Sequence, residues 1–332
     1  MTGNSVQRHL RGAAMLAALC LWLSGCASVD SAPADAMTGG ALLTPSIVLA
    51  GAPLYAAPGP ALNGLARPGQ PRPAAPSYLN LLAPVAVAAR DNTIYIADSG
   101  HHSLLRYDAA YMALSRFSER RADSVKALAV GPDMSLYVAD PKAARVQHFS
   151  WDGRLLQDFA SGSALSRPVG VLLDPAGAVV YVADNLYNHV VMFDPLGLPL
   201  GTLKSERAHS LAAMAGGPDG LYLLDPVARE VVVLGLDGGD RYAFGGGVLK
   251  QPSALAVDRY NRVYVADAFD NSIQVFERGV PVAAFGGGSG AAFGRIASLF
   301  VERDVLYVAD TVKRAILTFR IAPLALPAPP RE

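Results

Sequence analysis

A five-residue phrase recurs six times along this chain and limits its possible folds more than any other feature. It first reads Ile94-Tyr95-Ile96-Ala97-Asp98. It returns as Leu136-Tyr137-Val138-Ala139-Asp140, Val180-Tyr181-Val182-Ala183-Asp184 and Leu221-Tyr222-Leu223-Leu224-Asp225. The last two copies are Val263-Tyr264-Val265-Ala266-Asp267 and Leu306-Tyr307-Val308-Ala309-Asp310. The closing aspartates are 42, 44, 41, 42 and 43 residues apart. A unit near 40 residues with so little drift is the sequence signature of a four-stranded propeller blade.

The flanks of each phrase supply the other three strands. A short apolar run precedes it, as in 168–173 and 252–257, and a third strand follows after a loop, as in 146–149, 190–193, 273–276 and 316–319. Turns such as Trp151-Asp152-Gly153 and Leu236-Asp237-Gly238 then lead into a fourth strand, and Asp-Gly between apolar runs is a strong hairpin signal. Strand alternation puts Tyr95 and Ala97 on one face and Ile94 and Ile96 on the other. Both faces are apolar, so each sheet must lie between two others, which radial stacking provides. The expected fold is all-β: a six-bladed propeller of four-stranded blades over residues 79–321. The last repeat ends at Phe319 with only three strands. The expected donor of its fourth strand is Ser46–Tyr55, with Ala61–Ala66 as the alternative; either would remove an open sheet edge.

The segment from Tyr242-Ala243-Phe244-Gly245 through Asp258, Val263–Asp267 and Asn271–Phe276 resembles the NHL repeat. The resemblance extends over about residues 84–320, is closest in the fifth repeat and loosest in the first and fourth. It implies a propeller that binds ligands at one face, over the central channel. In related propellers, the peptidyl-hydroxyglycine amidating lyases hold zinc with histidines from different blades. Lactonase-like propellers hold calcium in the channel through Glu, Asn and Asp. Nucleic-acid binding, known for some NHL propellers, is not expected here: the loop cations stand among acids, and the chain carries a cell-envelope address.

That address lies at the N-terminus. Arg8 and Arg11 precede an apolar run of 12 residues, Gly12–Leu23, too short to span a membrane and suited to a signal peptide. The following Leu23-Ser24-Gly25-Cys26 resembles the bacterial lipobox. The resemblance implies a signal of residues 1–25, cleavage before Cys26 and acylation of Cys26. Ala27 and Ser28, rather than Asp, imply sorting to the outer membrane, facing the periplasm. Residues 26–78, rich in Ala, Pro and Gly, read as a tether, and 322–332 as a Pro-rich tail. The only two cysteines are Cys20 and Cys26, so no disulfide or thiolate metal site is expected in the body. With 28 basic and 28 acidic residues, the chain has no net field to draw it to a polyanion.

Candidate functional residues divide into a constant and a variable set. The repeat aspartates Asp98, Asp140, Asp184, Asp225, Asp267 and Asp310 recur in every blade and are expected to hold loops by accepting backbone N–H groups. The loops after them vary, and variation on a fixed scaffold is where specificity resides. Their candidates for a binding face are His101, His102, Arg145, Tyr187, Asn188, His189, Arg229, Asp270, Lys313 and Arg314. His102, His189 and His209 form a weak candidate zinc set. Aligning the innermost strands by eye makes Ala127, Gly170, Ala212, Ala254 and Ala297 equivalent, small and apolar, with no calcium-binding set. These features favour a non-catalytic binding or scaffolding propeller without a cofactor. Its expected partners are the membrane, through the N-terminal lipid, and an envelope protein, peptide or glycan. The alternative is a metal-dependent propeller enzyme, a lyase or lactonase-type hydrolase, with its site at the channel mouth.

Overall fold

The computed structural model describes residues 42–54, 77–159, 165–287 and 292–323. The signal segment, Cys26, most of the tether and Ala61–Ala66 lie outside these residues. Three short strands open the described chain: β1 (Leu43–Leu49), β2 (Gly51–Pro53) and β3 (Tyr78–Asn80). Blade 1 follows as β4 (Pro84–Arg90), β5 (Thr93–Asp98), β6 (Ser103–Asp108) and β7 (Ala113–Arg121). Blade 2 is β8 (Ala127–Val130), β9 (Leu136–Asp140), β10 (Arg145–Phe149) and β11 (Leu155–Phe159). Blade 3 is β12 (Pro168–Leu173), β13 (Val180–Asp184), β14 (His189–Phe193) and β15 (Pro199–Leu203). Blade 4 is β16 (Ala213–Gly217), β17 (Gly220–Asp225), β18 (Glu230–Leu234) and β19 (Asp240–Phe244). Blade 5 is β20 (Pro252–Val257), β21 (Arg262–Asp267), β22 (Ser272–Glu277) and β23 (Val280–Gly286). Blade 6 contributes β24 (Ile296–Glu302), β25 (Val305–Asp310) and β26 (Ala315–Ile321).

Each blade is an antiparallel sheet whose strands lie side by side in chain order, so the chain passes from the axis outward and returns to start the next blade. The repeat aspartates end every second strand at one end of the ring, the loop face. The turns joining third and fourth strands lie at the other end, the turn face. The two-sided apolar pattern has the expected consequence. Tyr95 and Ala97 pack with Leu128, Leu136 and Val138 of blade 2, whereas Ile96 and Val87 pack with Tyr307, Ala309 and Ile316 of blade 6. Tyrosine hydroxyls also reach across blades: Tyr95 donates to the Met134 carbonyl at 3.2 Å, and Tyr222 bonds Asn261.

The N-terminal strand closes the ring. β1 lies antiparallel to β26, with Leu43 opposite Ile321 and Leu49 opposite Ile316, as the fourth strand of blade 6. It begins three residues upstream of Ser46, and the chain then leaves the sheet earlier than the sequence suggests. Gly51–Pro53 pairs instead with β3, and Leu54 bridges Leu114 of blade 1. Gly51 permits that departure, since a Cβ there would sit 2.5 Å from the Leu79 carbonyl oxygen. A second lock lies beside this closure. The Arg262 guanidinium, fully buried, donates to Asp258 at 2.7 Å and to the Ala322 carbonyl at 2.8 Å, and Ala322 N–H donates to the Leu42 carbonyl.

Leu43 and Leu49 are each almost wholly buried. Two buried leucines contribute about 3–6 kcal/mol, and each kcal/mol moves the midpoint of a domain this size by about 2–4 °C. Deleting residues 42–54 is therefore expected to lower the thermal midpoint by about 10 °C or more by calorimetry. An unchanged midpoint would show that β1 does not close the ring.

Candidate functional site

The loop face is organised by its aspartates. In five blades the carboxylate accepts two backbone N–H groups from the loop entering the innermost strand. Asp98 takes Leu82 and Ala83, Asp184 takes Ser166 and Arg167, and Asp225 takes His209 and Ser210. Asp267 takes Lys250 and Gln251, and Asp310 takes Gly294 and Arg295. Each of these five also accepts at least one N–H from its own following loop. Asp140 differs: it accepts the Ser124 hydroxyl and the Ala143 N–H. Carboxylates so saturated hold two loops together and have little capacity left for a ligand.

The variable loops carry a second constraint. The residue just before the third strand is left-handed in every blade: His102, Ala144, Asn188, Arg229, Asn271 and Arg314 have φ from 51° to 59°. Asn suits that conformation by its backbone preference, so part of what looks like ligand chemistry in these loops is turn geometry. Most of the other candidates make local contacts. His101 Nε2 lies 2.8 Å from the Asn80 carbonyl, and His102 Nδ1 lies 2.5 Å from Asp123. Arg145 pairs with Asp158 at 3.4 Å, Lys313 donates to the Ala292 carbonyl, and Asp270 accepts the Ser272 N–H. The rings of Tyr187 and His189 lie 5.4 Å apart, and Asn188 Oδ1 and His189 Nε2 are buried without a partner among the described residues. Arg229, Arg314 and His209 are exposed. Among the described residues no group of three or more His, Cys, Asp or Glu side chains is arranged to hold a metal ion. His102, His189 and His209 are therefore not brought together, and the ligand set that a metal-dependent site needs is not found there.

The axis of the ring holds a different feature. A cavity of about 260 Å³ runs between the six innermost strands. Strand register corrects the alignment made by eye. Ala127 pairs with Ala139, and its equivalents are Ala86, Gly170, Ala213, Ala254 and Ser298, each opposite the corresponding position of the second strand. Ala212 and Ala297 belong one residue earlier. That ring, nearest the loop face, reads Val85, Lys126, Val169, Ala212, Ser253 and Ala297, and Lys126, Val169, Ser253 and Ala297 line the cavity. In blades 1, 3, 5 and 6 the position is a bulge in the pairing of the first two strands. Gly170 is required by close packing, since a Cβ there would lie 2.9 Å from Met214 Cβ.

Lys126 is the one charged residue in that ring. Its backbone is fixed by a bond from its N–H to the Ala139 carbonyl, and its side chain lines an otherwise largely apolar mouth. Burial pushes its amine below the ordinary lysine range, because desolvation disfavours the ammonium. Arg90 and Asp174 also line the cavity, at its turn-face end. Sequence reasoning missed Lys126. The available signal was its position: a lysine where the other repeats have Val, Val, Ala, Ser and Ala.

No family model matches this chain, and no curated protein matches it. Solved structures do. Virginiamycin B lyase from Staphylococcus aureus superposes with a TM-score of 0.58 at 11% identity, over 74% of this chain and 98% of that one. Kuenenia stuttgartiensis hydrazine synthase gives 0.53 at 14% identity, over 74% and 97%. A Bacteroides thetaiotaomicron protein of unknown function gives 0.59 at 14% identity, over 73% and 70%. These likenesses are of fold. They nonetheless correct the expectation of a non-catalytic scaffold. The named proteins that share this architecture are catalytic, and the channel thought to lack chemistry contains a desolvated amine.

Lys126 also has a measurable effect on stability. Its folded pKa lies below that of the unfolded chain, so the unfolded state binds the proton more tightly. Stability from this group therefore rises with pH through the window between the folded value and about 10.5. At pH 7 the buried charge is a cost. Lys126→Met is expected to raise the thermal midpoint at pH 7 by a few degrees, with the gain shrinking as pH approaches 10.5. A lower midpoint, or a pH-independent difference, would contradict this.

Proposed function

We propose that the chain is a propeller enzyme of lyase type, acting at the loop-face mouth of its axial channel with Lys126 as the proton-transfer group. The observation that carries the proposal is a lone ammonium in a largely apolar ring at the axis of a fold shared with known lyases. A lysine amine held below its ordinary range is an effective base near neutral pH. It removes a proton from carbon next to a carbonyl, the adjacent bond breaks, and the resulting ammonium returns that proton to the leaving group. The elimination balances without water, metal or oxidant. The cavity dimensions and lining suit one small, mostly apolar group of a larger substrate.

The NHL-like repeat and the lipobox complete the proposal. The first assigns the blades to the NHL class of propeller. The second holds the enzyme at the outer membrane by acylated Cys26, several acyl chains giving a stable anchor where one does not. Among the described residues no helix is long and apolar enough to cross a membrane.

The reactivity of Lys126 tests the assignment. The chain has five lysines: Lys126, Lys142, Lys204, Lys250 and Lys313. On treatment with p-nitrophenyl acetate at pH 8, peptide mass spectrometry is expected to find Lys126 acetylated several-fold faster than the other four. Its rate should level off below pH 10. A Lys126 modified no faster than the rest would remove the basis of the proposal.

A further inference from the structure

The turn face presents a pattern that the channel chemistry does not use. A tight turn between polar strand ends is ordinarily made of Gly, Asp, Asn, Pro or Ser. Here the third-to-fourth-strand turns of blades 1 to 5 also carry exposed apolar side chains. They are Met112, Trp151, Leu196 with Leu198, Leu236 and Val280, exposed from 56% at Leu236 to 74% at Leu196. The turns do not need them. In blades 2, 3 and 4 a left-handed Gly153, Gly197 or Gly238 makes the bend, and the carboxylates of Asp152, Asp194 and Asp237 bond within the same turns. In blade 1 the left-handed position is taken by Met112 itself, at φ 48°. Single exposed apolar residues are ordinary. Five successive blades with them at the same turn, all at one end of the ring, are not explained that way.

Blade 6 has no such turn, and what occupies its place indicates the partner. β26 ends on the turn face at Ile321, opposite Leu43, so the N-terminal chain enters there. From Cys26 to residue 41 there are 16 residues. A flexible segment of that length spans about 20–24 Å. A lipid on Cys26 would thus hold this face, and not the loop face, close to a bilayer.

We infer that the turn face rests on a lipid bilayer, its five apolar turn tips immersed at the headgroup boundary and its loop face and channel mouth turned away from the membrane. Tips spread around the rim of a ring are touched together by a plane, not by a small ligand. Trp and Leu are side chains suited to that boundary. Exposed Arg154, Arg241 and Arg278 stand beside three of the turns, but the turn aspartates offset them, so binding is driven by apolar contact and does not require anionic lipid. The inference rests on the proposed anchor for proximity; the orientation is its own claim.

Orientation is what the test reads. The full chain has two tryptophans, Trp22 and Trp151. With Trp22→Phe, the chain is reconstituted into phosphatidylcholine vesicles brominated in the acyl chains. A second variant carries Trp22→Phe, Trp151→Phe and Tyr187→Trp, moving the probe to the loop face. The expected result is at least twofold quenching and a blue shift for Trp151, with no quenching at position 187. Adding Leu196→Asp and Leu236→Asp is expected to abolish Trp151 quenching with the thermal midpoint unchanged. A chain that floats with vesicles but leaves Trp151 unquenched, or quenches both positions equally, overturns the inference and leaves the anchor intact. Loss of flotation in Cys26→Ser tests the anchor by itself. If Trp151 is unquenched and sedimentation shows a dimer dispersed by Leu236→Asp, the tips contact a second copy and the inference fails.

Discussion

Every blade of this protein has two apolar faces, and no arrangement short of a closed ring covers both. A half-covered sheet leaves its buried tyrosine face or its valine and isoleucine face in water, and a sheet with an open edge invites pairing with another chain. The ring removes both problems together. It also explains why the weakest point is where the chain meets itself, at β1 on β26, and why that junction has additional fastening. Leu43 and Leu49 are buried, Thr318 bonds Ile47 across the irregularity in β1, and Arg262 ties the end of β26 to blade 5. A buried Arg–Asp pair is a poor source of net stability, since desolvation offsets attraction. Its value here is positional: it fixes where the last strand ends, and so where the first must begin.

The fold was legible because its information is local and repeated. Period, strand parity and Asp-Gly turns each sit within a few residues, and six copies average out the irregular ones, such as Leu224 in place of Ala. The closing strand was legible only in outline. Its register depends on where β26 runs out, and its end depends on a contact between Gly51 and Leu79 that no local pattern records.

The candidate site was less legible, for two physical reasons. Loop residues were read as chemistry when several are set by backbone: Asn188, Asn271, His102, Arg229 and Arg314 occupy one left-handed position. Channel residues were misaligned by one because four blades carry a bulge and two do not. A single-residue slip in a strand exchanges its faces, and here it hid Lys126 behind Ala212 and Ala297. A repeat protein is best searched for the position at which one copy departs from the others, once register is known. The two ends of the ring then separate in role. The loop face, braced by carboxylates, opens on the amine; the turn face carries the apolar tips and receives the N-terminal chain.

The central claim is that the six sheets form one closed ring with no weaker seam, and native-state hydrogen exchange reads this blade by blade. The slowest amides of blades 1 and 6, which meet at the closure, are predicted to open with the same free energy as those of blade 3. Exchange in blades 1 and 6 at markedly lower free energy, while blade 3 stays protected, would mean that the ring is open where Leu43–Leu49 is said to close it. The enclosed channel around Lys126 would then lose its foundation.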